Sequence, residues 1–133
     1  MLKLTYCLTR RPNLSREEFQ AYWRDTHAPL VHAAAEALGI RRYVQSHSVD
    51  TPLDTLVRET RGLEAADYDG VAELWYENIE ALVAATQTEE GARHGAILAE
   101  DEAKFIDFSR SRLFFGHDNI VVGSPEPSNP GQS

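Results

Sequence analysis

Apolar and polar residues alternate at the beginning of the chain. In residues 2–9 the even positions hold Leu or Tyr and the odd positions hold Lys, Thr or Cys, which is the period of a strand with one buried face. The same period predicts further strands in three segments: residues 41–49, 70–76 and 112–115, the last of which is expected to resume at 119–122.

Residues 19–31 have a helical period instead, and the apolar stripe of this helix contains a histidine. The stripe consists of Phe19, Trp23, His27 and Leu30, and Tyr22 and Thr26 flank it. Most polar side chains of the segment point elsewhere, as a solvated face should. An imidazole in line with two large aromatic side chains therefore makes His27 the first candidate for a functional residue.

Both ends of this helix carry sequence signals. Ser15 and Glu18 have the spacing of a capping box, in which each side chain satisfies a free backbone N–H group. Pro29 has no N–H group and clashes with the preceding turn. We therefore expect a kink or a restart just after His27, followed by a shorter helix that Gly39 ends.

The order of predicted elements is β, α, β, β, α, β. Asn78 is placed to cap the second crossover helix, and another helix is predicted over residues 96–106. Residues 50–66 lack a sustained period and are predicted to form a long loop, with room for one helical turn. The order predicts a ferredoxin-like α+β sandwich, with a four-stranded antiparallel sheet and helices on one face. Residues 1–122 would form this domain, and residues 123–133, which contain no hydrophobic side chain, a flexible tail.

The second face of the predicted sheet has no helix to cover it. Several residues on that face are neither charged nor small, so face-to-face packing of two sheets in a homodimer would bury it.

Composition limits the classes of partner. Thirteen basic and 21 acidic residues give a net charge of −8, which disfavours non-specific binding to nucleic acid or to an anionic membrane. No apolar run is long enough to span a bilayer, and the first residues lack the pattern of a secretory signal. A single cysteine cannot form an internal disulfide. We expect a cytoplasmic protein.

A second histidine lies on a predicted strand. His47 shares one face of that strand with Tyr43 and Gln45. If this face is directed towards the helices, His27 and His47 converge on one pocket with Tyr43 as a hydrogen-bond donor. If it is directed away, the same row belongs to the dimer contact, and the sequence leaves this open.

Other candidates would line a substrate site. Glu73 and Trp75 share a strand face, and a carboxylate beside a tryptophan in a strand interior acquires a raised pKa, as general acids and bases often have. The alternative is an exposed Glu73 at a strand edge. Tyr22 and Trp23 would contribute a hydroxyl group and an aromatic surface. Three acidic residues further along, Asp101, Glu102 and Asp107, are predicted first to belong to a solvated helix face.

No cofactor and no metal are predicted. His27 and His32 are five residues apart, about 140° around a helix, so they do not form the i, i+4 pair that binds a metal. A glycine-rich loop after a strand, which would indicate a phosphate or dinucleotide site, is missing from the sequence.

Four segments together resemble the EthD-domain proteins of the dimeric α+β barrel superfamily: TRRPNLSREEFQAYWRDTHAPLV, IRRYVQSH, YDGVAELWYENIEAL and EDEAKFIDFSRS. The resemblance covers residues 3–115 and implies a ferredoxin-like monomer that dimerises through its sheets, with a cavity between sheet and helices. It covers His27, and it makes Asp107 a candidate for orienting a histidine. Fungal members of the family act as dehydratase- or decarboxylase-like enzymes in aromatic polyketide pathways, and superfamily members include cyclases, isomerases and cofactor-independent monooxygenases.

Two functional hypotheses follow. In the first, the protein is a cofactor-free enzyme for a small hydrophobic aromatic or polyketide-like molecule. His27, helped by His47 and Tyr43, abstracts a proton beside a carbonyl group, and dehydration, cyclisation or isomerisation follows. In the second, a non-catalytic dimer binds an apolar ligand for an oxygenase system and its histidines are structural. A cofactor-independent monooxygenase is a third alternative.

Overall fold

A computed structural model describes residues 1–123 of the chain. Most of the predicted tail lies outside the described residues. Within them the elements follow one another as β1 (Leu2–Leu8), α1 (Arg16–Tyr22), a π-helical turn (Trp23–His27), α2 (Ala28–Leu38), β2 (Arg42–His47), α3 (Pro52–Arg61), β3 (Gly70–Tyr76), α4 (Ile79–Thr86), α5 (Glu89–Glu102), a 3₁₀ turn (Phe108–Arg110) and β4 (Arg112–Gly116).

The four strands form one antiparallel sheet in the order β2-β3-β1-β4. This order, with one helical crossover between β1 and β2 and another between β3 and β4, confirms the predicted ferredoxin-like sandwich. Helices α1, α2 and α5 lie on one face of the sheet, which we call the inner face. Residues of α2 and α5, such as Val31 and Leu98, pack there against Leu2 and Tyr76 of the sheet.

The predicted start of α1 is confirmed. The Ser15 hydroxyl accepts a hydrogen bond from the backbone N–H of Glu18 at 3.0 Å, and the Glu18 carboxylate accepts one from the N–H of Ser15 at 2.8 Å. The predicted restart after His27 is also found, because the π-helical turn ends there and α2 begins with Pro29 in its first turn. Gly39 ends α2 with a φ of 71°, a conformation that glycine adopts without steric cost.

Residues 50–66 contain a ten-residue helix, so the prediction of a long loop was wrong. Thr51 caps α3 by accepting from the N–H of Leu53, Pro52 occupies its first turn, and Gly62 ends it with a φ of 69°. Local capping signals therefore define this helix. Packing against the rest of the protein does not define this helix, because none of its residues is buried.

The predicted start of the last helix at residue 96 was also wrong, since α5 begins at Glu89. Thr88 caps it and accepts a hydrogen bond from the N–H of Gly91. Gly91 lies inside the helix. A larger residue would not fit there, because a Cβ atom at this position would be 1.8 Å from the carbonyl oxygen of Ala85 in α4. The glycine thus permits close approach of two helices and does not end one. Residues 119–122 do not form the expected continuation of β4.

The core consists of two clusters of buried side chains. One joins α2, α5 and the sheet around Val31 and Leu38, and the other joins α1 and the π-helical turn to Phe105. Tyr43 and Leu74 are partly buried and pack against both clusters. Polar side chains accumulate where the clusters meet. No helix within residues 1–123 is long and apolar enough to cross a membrane.

Candidate functional site

A small cavity lies between the helices and the inner face of the sheet, where the two core clusters meet. Its lining residues are Tyr6, Leu8, Trp23, His27, Val31, Tyr43, Ala72, Leu74, Leu98, Glu102 and Ile106. The cavity volume is about 40 Å³, which is sufficient for water but far below the several hundred Å³ of typical ligand pockets. Entry of an organic molecule therefore requires side chains to move.

His27 and Asp101 form a buried hydrogen-bonded pair beside this cavity. The Nδ1 atom of His27 lies 2.7 Å from Oδ2 of Asp101, and the two residues are only 4% and 5% exposed. The Tyr22 hydroxyl donates to Oδ1 of the same carboxylate at 2.6 Å. Because an ionised carboxylate only accepts, the hydrogen of a neutral imidazole belongs on Nδ1. This leaves the lone pair on Nε2, which has no hydrogen-bond partner within residues 1–123.

The pKa values of the pair favour a neutral histidine beside an ionised carboxylate at neutral pH. Burial lowers the pKa of His27, although the hydrogen bond to Asp101 acts in the opposite direction. Burial acts to raise the pKa of Asp101, but the hydrogen bonds from Tyr22 and His27 together leave it below its ordinary value. The bond to Asp101 raises the pKa of Tyr22 to about 12, so this phenol remains a donor. His27 is thus arranged as a base.

The π-helical turn positions His27 at the junction of two helices. Within this turn the backbone N–H of Ala28 donates to the carbonyl oxygen of Trp23, a bond one residue longer than in an α-helix. The side chain of Gln45 in β2 donates to the same carbonyl oxygen at 3.1 Å. This hydrogen bond connects the π-helical turn to β2 of the sheet, next to the cavity between the helices and the sheet.

The Tyr43–Gln45–His47 row of β2 faces the helices, which answers the question left open by the sequence. The Tyr43 hydroxyl accepts hydrogen bonds from Nε1 of Trp23 at 3.2 Å and from Nε2 of Gln45 at 3.1 Å. Both of its lone pairs are thus used, and its own hydrogen is available to another acceptor. Burial raises the pKa of Tyr43. Tyr43 and His27 line the same cavity.

His47 lies on the same face but does not line the cavity. Its Nε2 atom is 2.8 Å from Oε1 of Gln45, and its ring packs on Trp23 with 4.5 Å between ring centroids. Burial lowers the pKa of His47. The structure therefore brings Tyr43, but not His47, to the cavity with His27, while His47 contacts the residues that hold Tyr43.

Three of the predicted site residues lie away from the cavity. Glu73 and Trp75 are on the outer face of the sheet, where Glu73 pairs with Lys3 at 3.1 Å and the Trp75 ring lies between the cations of Lys3 and Arg42. Asp107 accepts hydrogen bonds from Ser109 and caps the 3₁₀ turn. The two predicted substrate-binding residues of the first helical segment differ. Trp23 lines the cavity, whereas Tyr22 does not and instead binds Asp101.

The prediction that Asp101 and Glu102 belong to a solvated helix face was wrong. Asp101 is buried against His27, and Glu102 lines the cavity and accepts a hydrogen bond from the Tyr6 hydroxyl at 3.1 Å. A signal for this placement was present in the sequence. Leu98 and Phe105, which are buried, are seven residues apart, and Asp101 and Glu102 occupy the intermediate positions of the same helical stripe.

A larger cleft of about 500 Å³ lies on the surface near the end of β1 and the loop before β3. Its lining is mainly charged, but the charges pair with each other: Arg10 with Asp69, Arg16 with Asp50, and Arg110 with Asp67. The cleft contains none of the predicted site residues. The described chain also has no group of three His, Cys, Asp or Glu side chains that could hold a metal ion together.

Comparisons with known proteins agree with this architecture. The model of the EthD domain matches residues 11–109. A conidial pigment biosynthesis dehydratase EthD from Metarhizium robertsii is 30% identical over 119 residues, which are 88% of this chain and 82% of that protein. Decarboxylase AgnL1 from Paecilomyces divaricatus is 26% identical over 117 residues, or 86% and 76% of the two chains. A solved ethyl tert-butyl ether d (EthD) family protein from Bacillus halodurans has a TM-score of 0.58 at 23% identity, over 90% of this chain and 100% of the other.

Proposed function

Because this chain belongs to the EthD family, we propose that it is a small, cofactor-free enzyme that acts by general acid–base catalysis on a hydrophobic aromatic or polyketide-like molecule. The observation that carries the proposal is the hydrogen-bonded pair of His27 and Asp101 beside the small cavity. This pair leaves Nε2 of the neutral imidazole without a hydrogen-bond partner among residues 1–123. Relatives named as a dehydratase and a decarboxylase support an enzymatic role.

In the proposed reaction, Nε2 of His27 removes a proton from the carbon beside a carbonyl group. The electron pair of the broken C–H bond moves onto the carbonyl oxygen, and the Tyr43 hydroxyl donates a hydrogen bond to the enolate. Asp101 stabilises the imidazolium that forms and keeps the ring oriented. His47 is a positioning residue in this scheme, because it contacts Gln45, which in turn donates to Tyr43. Loss of water, ring closure or isomerisation can then follow from the enolate.

An apolar ledge beside the cavity supports a hydrophobic substrate. Leu113 and Phe115 of β4 pair across the sheet with Tyr6 and Leu4, so they share the inner face. They are nevertheless 53% and 49% exposed. Tyr6 connects this ledge to the cavity lining. A flat aromatic molecule would cover the ledge and direct its carbonyl group towards His27 after displacement of partly buried side chains.

We also propose that two copies of the chain associate through the outer faces of their sheets. Phe114 on this face is 60% exposed although it belongs to a strand. Among the charged side chains of the same face, Lys3 pairs with both Glu73 and Asp118. A second copy can therefore cover these three charges without leaving any of them isolated.

Proton abstraction can be measured directly with a β-hydroxy ketone probe, 3-hydroxy-1-tetralone. In D₂O the enzyme should exchange the C2 protons of this probe for deuterium, which proton NMR detects. We expect His27→Gln to reduce the exchange rate by about 100-fold or more, because glutamine can donate to Asp101 but is not a base. His32→Ala, which changes an exposed histidine of α2, should exchange at the rate of the unmodified protein.

Other outcomes would contradict the proposal. Full exchange activity in His27→Gln would exclude this residue as the base. Saturable binding of the probe without exchange would indicate the accessory ligand-binding dimer, and consumption of O₂ would indicate a monooxygenase.

A further inference from the structure

A second protonatable side chain is directed at the cavity from α5. Glu102 is the last residue of this helix and follows Asp101 directly. Successive helical side chains are about 100° apart, so the two carboxyl groups take different directions. Asp101 contacts Nδ1 of His27, whereas Glu102 lines the cavity and accepts from the Tyr6 hydroxyl of β1. His27 and Glu102 are therefore two proton-transferring groups of one cavity.

The surroundings of Glu102 favour its protonated form. The titratable groups that face it or interact with it are Tyr6 of β1, His27 of the π-helical turn, Tyr43 of β2, Tyr76 of β3 and Asp101 of α5. None of these is a permanent cation, and Asp101 repels a second negative charge. Burial raises the pKa of Glu102, and only the hydrogen bond from Tyr6 acts in the opposite direction.

We propose that Glu102 is a catalytic residue of this site, a general acid that protonates the leaving hydroxyl group of a β-hydroxy carbonyl substrate, and that Tyr6 is its positioning residue. The inference rests on the proposed function, because it needs His27 as the base. His27 removes the proton from the α carbon, a C=C bond forms, and the C–O bond at the β carbon breaks. Glu102 supplies the proton that completes the departing water molecule. His27 is then an imidazolium and Glu102 a carboxylate, and proton transfer through water restores both.

The pair of groups favours dehydration over proton exchange and over isomerisation by a single group. Proton abstraction alone, or isomerisation by a single group, needs only His27. Elimination of water through the enolate needs a base for the proton of the α carbon and then an acid for the hydroxyl group that leaves the neighbouring β carbon. A cavity with His27 and Glu102 in its lining meets this requirement. The substrate class is accordingly a β-hydroxy ketone in a ring system that becomes aromatic on loss of water.

The directions of the two pKa shifts increase the active fraction of the enzyme. With ordinary values of 6.5 for histidine and 4.5 for glutamate, only roughly 1% of molecules at the midpoint pH would have neutral His27 together with protonated Glu102. Burial lowers the pKa of His27 and raises that of Glu102, which moves the two values towards each other and enlarges this fraction.

The test uses the full chain and the same tetralone probe, because loss of water from 3-hydroxy-1-tetralone gives fluorescent 1-naphthol after tautomerisation. We expect Glu102→Gln to reduce naphthol release by about 100-fold or more while C2 deuterium exchange, which reports His27, stays within about threefold. The introduced amide keeps an acceptor for Tyr6, so the fold should be retained, and the melting temperature checks this. Naphthol release by the unmodified protein should fall at high pH as Glu102 loses its proton, and this alkaline limb should be missing in Glu102→Gln.

Tyr6→Phe separates positioning from a structural role. Removal of the Tyr6 hydrogen bond takes away the contact that favours the carboxylate, so the pKa of Glu102 should rise and the alkaline limb should move to higher pH. An unchanged limb would exclude the positioning role of Tyr6. Unchanged naphthol release in Glu102→Gln, with exchange intact, would overturn the acid role and leave the proposed function standing. Absence of both exchange and dehydration in the unmodified protein would overturn the proposed function and this inference with it.

Discussion

At the scale of single residues, the site depends on which nitrogen of His27 carries its hydrogen. Oδ2 of Asp101 lies 2.7 Å from Nδ1 of His27 and accepts the hydrogen bond of this nitrogen, while Oδ1 accepts a second hydrogen bond from Tyr22. The carboxylate therefore determines the tautomer as well as the orientation of the ring. A change that keeps the shape of Asp101 but offers a donor should reverse the tautomer.

Asp101→Asn makes this change. An amide N–H group facing Nδ1 would turn that nitrogen into an acceptor and place the hydrogen on Nε2, where the base is needed. We expect deuterium exchange of the tetralone probe to fall about 10²- to 10⁴-fold, and ¹⁵N NMR of His27 should report the other tautomer. Asp107→Asn is the matched control, because Asp107 caps the 3₁₀ turn and does not line the cavity. The reverse result, with loss of activity only in Asp107→Asn, would assign the orienting role to Asp107.

Sequence reasoning placed His27 and Tyr43 among the candidates, and both residues line the cavity. Their periodicity placed them on the faces of a helix and a strand that the core requires. Asp101 and Glu102 were missed because acidic residues are seldom buried without a partner, and their partners, His27 and Tyr6, are 74 and 96 residues away in the chain. A pairing across such a separation becomes visible only when the fold is known.

At the scale of elements, α5 delivers both carboxyl groups, and its placement depends on one glycine. Gly91 allows the helix to approach Ala85 of α4, since a Cβ atom would be 1.8 Å from the Ala85 carbonyl oxygen. Gly95, one turn later, has open space around the position of a Cβ atom. The two glycines of the same helix therefore form a natural comparison.

Gly91→Ala and Gly95→Ala should change stability in opposite directions. The backbone carbonyl of Ala85 cannot move aside without displacing α4, so Gly91→Ala should lower the free energy of unfolding by about 1–3 kcal/mol. Gly95→Ala should raise it by about 0.5–1 kcal/mol, because alanine loses less backbone entropy in a helix. Urea denaturation followed by circular dichroism measures both. Equal stabilisation by both substitutions would mean that α4 and α5 are not in close contact at Gly91.

Element boundaries followed from the sequence where capping signals and hydrophobic periodicity agreed, as at Ser15 and Gly39. The prediction failed for α3, which has caps but no buried residue, and at the start of α5, where Gly91 was taken as an interruption. In the first case Leu53, Leu56 and Val57 have helical spacing, but this apolar stripe extends over little more than one turn and was not recognised as a sustained period. In the second, Gly91 is needed because α4 packs closely against it, and a local sequence pattern carries no information on contacts between helices.

At the scale of the whole molecule, the outer face of the sheet is the surface proposed for dimerisation. Phe114→Glu places a charge at its exposed aromatic residue, opposite Thr5 of β1. We expect this variant to sediment with the mass of a single chain at micromolar concentration, whereas the unmodified protein should have twice that mass. Leu56→Glu is the control, because Leu56 is an equally exposed apolar residue of α3. A monomer produced by Leu56→Glu and not by Phe114→Glu would place the interface on α3.

The topology of the molecule could be predicted from the order of its elements, since few arrangements join paired strands through two helical crossovers. The cavity could not. It lies where two clusters of side chains meet without filling the space between them, and this depends on the packing of Tyr43 and Leu74 against both. Periodicity predicts which side chains face the interior but not whether they occupy it completely.

The small size of the cavity has a consequence for the direction of the reaction. A space of about 40 Å³ beside His27 and Glu102 matches a water molecule, which is the species that elimination releases and that hydration consumes. The same two groups would orient water for addition to an enone as readily as they would remove it, because a catalyst lowers both barriers equally. The balance between the two directions is then decided by the gain in aromaticity of the product, and the protein leaves that equilibrium unchanged.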